Sequence, residues 1–143
     1  MYLLVIFGVL TACQKESRGF VLPAGDVAIG KATFSTLYCT DCHHLGDMAW
    51  TGATYGDYPN IQLGGDVTKL KTYGELVTSV INPSHKISQR NMASDTTMTP
   101  GGASKMETRC YNDVMTVQQL VDIVAFLQSE YKLVVPTNTY PYE

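Results

Sequence analysis

Cys39, Cys42 and His43 lie together in the pentapeptide Cys39-Thr40-Asp41-Cys42-His43, two thiols three positions apart with an imidazole directly after the second. Three chemistries use cysteines at this spacing: thiol–disulfide exchange, zinc binding and covalent haem attachment. Zinc wants four ligands, commonly supplied by a second cysteine pair or by two closely spaced histidines. Here Cys110 and the isolated His85 are what remains for that purpose, a poor set. Thiol exchange expects a strand ahead of the motif within an alternating α/β pattern, and the residues ahead of Cys39 read as a helix. Haem attachment uses every position: two thiols for the two vinyl groups and a histidine beside the iron.

The elements that would hold this turn can be read from periodicity. Asp26 is a suitable helix N-cap, and Val27, Gly30, Phe34 and Leu37 or Tyr38 recur at helical spacing, giving about three turns that run into Cys39. Residues 45–66 are rich in Gly, Tyr, Thr and Pro, include the single tryptophan, Trp50, and read as loop. Thr72 followed by Glu75 is a capping-box pattern ahead of an apolar stripe of Tyr73, Leu76, Val77, Val80 and Ile81, and Asn82-Pro83 stops it. A second loop, 84–113, carries Met92, Met98 and Met106. Thr116 and Gln119 repeat the capping pattern before the strongest helix, with Val117, Leu120, Val121, Val124, Leu127 and Tyr131 along one face. No strand is convincing. The expected class is all-α, with three or more helices and long loops wrapped around one covalently bound haem. Loops of that length suggest that something other than side chains fills the centre.

The chain has 143 residues, one domain's worth, with 45% hydrophobic and 16% charged residues and a net charge of −3. Such a balance argues against nucleic acid, which favours a clustered basic surface. The N-terminal run MYLLVIFGVLTAC is far short of the roughly 20 apolar residues of a membrane-spanning helix. It has the length of a signal-peptide apolar region followed by small residues. Its end, Leu10-Thr11-Ala12-Cys13, resembles the lipobox of bacterial lipoproteins, which implies acylation of Cys13. No Lys or Arg precedes the run, so a start upstream of Met1 or a buried strand also fits. Residues 1–12 are then expected to be a signal peptide, 13–25 a polar tether broken by Gly and Pro, 26–135 the folded domain and 136–143 a tail.

Over residues 26–132 the chain resembles the monohaem class I c-type cytochromes of bacteria. Gly30, Phe34, Cys39, Cys42 and His43 carry the resemblance at one end, and the stretch LVDIVAFLQSEY, with Phe126, at the other. The resemblance implies a cytochrome c fold in which Phe126 meets Gly30 where the first and last helices cross. It also implies that YPNIQLGG is a proximal loop. There the Pro59 carbonyl would accept the Nδ1 hydrogen of His43, and Ile61 would pack on the macrocycle. The sixth iron ligand it implies is a methionine shortly before the last helix. Met106 has that place, Met98 is the alternative, and His85 or no protein ligand stay open. Met115, next to the Thr116 cap, is expected to be a core contact and His44 a polar neighbour.

An iron held by His43 and Met106 is saturated on both faces, which suits outer-sphere electron transfer and excludes substrate coordination. The expected function is therefore an electron carrier rather than an enzyme, lipid-anchored on the periplasmic side of a bacterial membrane and passing electrons between redox protein partners. A haem sensor or peroxidase-like enzyme with an open sixth position, and a haem relay subunit of a larger oxidoreductase, are the competing readings.

Overall fold

The computed structural model describes residues 21–52, 56, 58–88, 96–106 and 111–135. Helix α1, Val27–Thr36, starts where Asp26 accepts from the Ile29 amide. Helix α2, Tyr73–Ile81, and helix α4, Val117–Ser129, each begin with a complete capping box, Thr72 with Glu75 and Thr116 with Gln119. In both, the threonine hydroxyl and the N3 side chain each satisfy an amide that the first turn leaves unpaired. A one-turn helix α3, Tyr111–Val114, precedes α4 within the stretch read as loop.

The all-α expectation is wrong. Among the described residues, four three-residue strands form two small parallel sheets: β1 (His43–Leu45) with β2 (Ile61–Leu63), and β3 (Gly65–Val67) with β4 (Tyr131–Leu133). In the first sheet His43 stands opposite Ile61 and Leu45 opposite Leu63. The second ties the residues after α4 back to the chain leaving β2, so Tyr131 belongs to a strand and not to the last helix. Three residues are too few for an alternating pattern to show in a sequence, which is why β2 read as loop and β4 as the end of the last helix. Part of residues 45–66 is thus paired backbone, and loop length gives no argument for a group at the centre.

The side-chain core lies where α1 and α4 cross, with Phe34, Leu45, Leu76, Ile123, Val124 and Phe126 all at most 3% exposed. Gly30 makes the crossing close: a Cβ there would fall 2.0 Å from the Asp122 carbonyl oxygen and 2.9 Å from the Phe126 Cβ. Phe34 meets Phe126 edge-on, ring centroids 5.8 Å apart, an arrangement that contributes about 0.5–1.5 kcal/mol beyond burial. Asp122 is buried as well. Its Oδ1 accepts from the Asp26 amide and from Gln118 Nε2, both at 2.8 Å, which fastens the start of α1 to α4. Met115 packs against this core, as do Cys39 and Met48. Val117 is 53% exposed, so the buried face of α4 starts at Leu120.

Among the described residues no helix is long and apolar enough to cross a membrane. Residues 1–20 and 136–143, with the signal-peptide, Cys13 and tail expectations, lie outside the described residues, as do Met92 and Cys110.

Candidate functional site

Helix α1 ends at Thr36, and Tyr38 then turns the chain through a left-handed conformation, φ 57°. A non-glycine residue enters this region rarely and at a cost. The turn redirects the chain into a single 3-10 turn, Cys39–Asp41, closed by the Cys42 amide donating to the Cys39 carbonyl at 3.2 Å. Both cysteines are half-buried on this turn. His43 follows at once as the first residue of β1, so the two thiols and the imidazole sit on consecutive, hydrogen-bonded backbone.

The His43 ring lies under α1, its centroid 6.4 Å from that of Phe34. Its Nδ1 is buried and has no hydrogen-bond partner among the described residues. Burial pushes the imidazole down to about 4; the nearby Ile61 backbone raises it by less, and His44 lowers it slightly. At neutral pH the ring is therefore uncharged, the form in which a histidine nitrogen ligates a metal. A buried polar atom without a partner costs roughly 1–3 kcal/mol.

Pro59 is half-buried just ahead of β2, but its carbonyl makes no hydrogen bond to His43 Nδ1. Ile61 is half-buried and faces His43 across the sheet, where its amide donates to the Cys42 carbonyl at 2.8 Å. His44 pairs through Nδ1 with Asn60 Oδ1 at 2.5 Å. The β1–β2 pairing thus brings the motif and the segment around Pro59 together by backbone, a link invisible to periodicity.

The candidate sulfur ligands share one hairpin-like loop. Met98 bridges antiparallel to Ser104, with Thr99 to Ala103 and Lys105 to Thr97 backbone bonds on either side. Met106 lies two residues past Ser104, and its amide donates to Ser104 Oγ at 3.3 Å. Both methionines are half-buried. His85 is exposed, with its amide donating to Asn82 O.

Sequence reasoning missed the contacts around the motif. Trp50 Nε1 donates to the Asp41 carbonyl and the Thr51 amide to that of Thr40. The isolated tryptophan in a polar loop was the only signal. Among the described residues no three His, Cys, Asp or Glu side chains gather in a way that could hold a metal ion. A haem asks for less from such groups, since the porphyrin supplies four ligands and the chain two. Two half-buried thiols on one turn and the adjacent imidazole, neutral and with a nitrogen unpartnered among the described residues, fit the part of that demand that falls on residues 39–43.

No family model, curated protein or solved structure matches the chain.

Proposed function

We propose that this chain holds one haem through thioether links at Cys39 and Cys42, with His43 as one axial ligand, and works as an electron-transfer protein resembling the bacterial monohaem c-type cytochromes. The observation that carries the reading is the half-buried His43 ring next to two half-buried cysteines on a single turn, its buried Nδ1 without a hydrogen-bond partner among the described residues. A neutral imidazole that turns a buried, unpartnered nitrogen inward beside paired thiols has no evident purpose in packing, where an apolar residue would cost less.

When bound, the haem would supply the Fe(III)/Fe(II) couple. The chain's own residues do the rest. Cys39 and Cys42 would fix the group's position and His43 would supply a nitrogen to its iron. Phe34 and Ile61 adjoin the imidazole and shield part of it, and Met106, with Met98 as the alternative, would supply a sulfur ligand. Sulfur ligation favours the reduced iron and raises the potential relative to two histidines. The donor and acceptor are redox protein partners, met on the periplasmic side of a bacterial membrane to which an acylated Cys13 tethers the chain. Two or three acyl chains anchor stably at about 0.8 kcal/mol per buried CH₂, where one does not.

Intact-mass measurement after denaturation tests the reading. One haem should remain on the wild-type chain and none when Cys39 and Cys42 are both replaced by Ala. A preparation that carries zinc and shows no Soret absorption overturns it.

A further inference from the structure

The backbone between the two cysteines is gripped from one side by Trp50, Thr51 and Gly52. Trp50 Nε1 donates to the Asp41 carbonyl at 2.6 Å, and the Thr51 amide donates to the Thr40 carbonyl at 2.9 Å. Both carbonyls between Cys39 and Cys42 are therefore engaged by the same loop. Thr51 Oγ1 adds contacts at 3.2 Å to Thr40 Oγ1 and to Oδ1 of the buried Asp41. At Gly52 a Cβ would come 2.1 Å from the Asp41 carbonyl oxygen and 2.6 Å from Trp50 Nε1, so a side chain there would drive the loop off the turn.

The turn needs such a hold. It leaves α1 through the left-handed Tyr38, a conformation that persists only where surrounding contacts over-determine it. Tyr38 is 63% exposed and has little packing of its own to impose that shape. The clamp from residues 50–52 supplies it from the far side.

We propose that Trp50, Thr51 and Gly52 form a positioning latch that presets the separation of the Cys39 and Cys42 sulfurs for a group that bonds both at once. A bridging group must find two thiols in one geometry, and a turn held in advance removes the ordering cost from the bonding event. The inference rests on the haem reading only for the identity of the bridging group; the latch itself belongs to the chain without haem.

The test uses the full chain, reduced and haem-free, with phenylarsine oxide, a trivalent arsenical that binds tightly where two thiols are held together. Iodoacetamide, which needs one thiol at a time, is the control, and peptide masses identify the cysteines involved. Trp50→Phe and Gly52→Ala should each weaken arsenical binding at Cys39 and Cys42 about tenfold or more, with alkylation rates within about twofold of wild type. Gly74→Ala, whose added Cβ meets nothing within 4 Å, should change neither. Unchanged arsenical binding in Trp50→Phe overturns the latch, and this variant decides alone if Gly52→Ala does not fold. Alkylation accelerating as much as arsenical binding weakens also overturns it, because the loop would then only support the fold. A second arm expresses wild type and Trp50→Phe in cells that attach haem to c-type proteins and counts covalent haem per chain. A loss in Trp50→Phe parallel to the arsenical result supports the latch, and an unchanged count with unchanged arsenical binding sinks it. A wild type that holds the arsenical tightly but takes up no haem sinks the haem reading and leaves the latch standing.

Discussion

The carbonyl oxygen of Asp122 occupies the space where a side chain at residue 30 would begin. With a Cβ only 2.0 Å away, α1 cannot lie this close to α4 unless position 30 is glycine. The atom in the way is helix backbone, so no rotamer change relieves the clash. Gly30→Ala should therefore cost about 2–3 kcal/mol, the upper range for overpacking, despite its gain in helix propensity. A urea midpoint equal to that of wild type would show that the crossing yields.

The two capping boxes are separate contributions with similar geometry. Thr116 caps the most buried helix, and Thr116→Ala leaves an amide of its first turn without its acceptor. The expected loss is about 1 kcal/mol, and Thr116→Ser should recover most of it. Thr72→Ala should behave alike in α2. Denaturant titration of the single and double variants checks both, and the two losses should add because the caps lie on different helices.

The second box also sets a pH dependence. Glu75 is held below its ordinary carboxylate value chiefly by the Thr72 backbone amide, then by the Thr72 hydroxyl and Lys86. A folded-state value below the unfolded one means that the unfolded chain binds the proton more readily. The stabilisation is then complete above the ordinary value of 4.5 and is lost as the pH falls through the folded value beneath it. The margin of wild type over Glu75→Gln should be widest near neutral pH and close on acidification. A margin that grows in acid would refute this assignment.

Helices α1, α2 and α4 were legible because each announces itself twice, in its cap and in its stripe, whereas the one-turn α3 has neither and read as loop. Asp26, Thr72 and Thr116 mark the starts at which α1, α2 and α4 begin, and Gly30 with Phe126 marks the crossing. The sheets were not legible. The pairing of His43 with Ile61 joins residues eighteen positions apart through backbone, and three-residue strands leave no periodic trace. The pentapeptide of the candidate site was plain in the sequence, yet its support was hidden for the same reason. Thr51 reaches Thr40 through its amide, which any residue but proline could provide, and Asp122 is a charge buried on a helix that reads apolar. Position in space, not residue type, gives these groups their roles.

The choice between Met106 and Met98 is the finest point the proposed function raises. The antiparallel bridge of Met98 with Ser104 puts both on one hairpin, and the Ser104 amide donates to Ser84 Oγ at 3.0 Å, securing that hairpin to the segment after α2. Replacing either methionine should leave this backbone frame intact, since none of its hydrogen bonds uses a thioether. Differences between the variants would then report on the iron and not on the fold. Met106→Ala should abolish the weak near-infrared band of sulfur-bound ferric haem, lower the reduction potential and open the iron to cyanide or carbon monoxide. Met98→Ala should leave all three as in wild type, and the double variant should match Met106→Ala alone. The reverse pattern assigns the ligand to Met98. A wild-type protein that carries covalent haem but binds carbon monoxide without competition from either sulfur would favour the open-site reading, that of a sensor or a peroxidase-like enzyme, over the electron carrier.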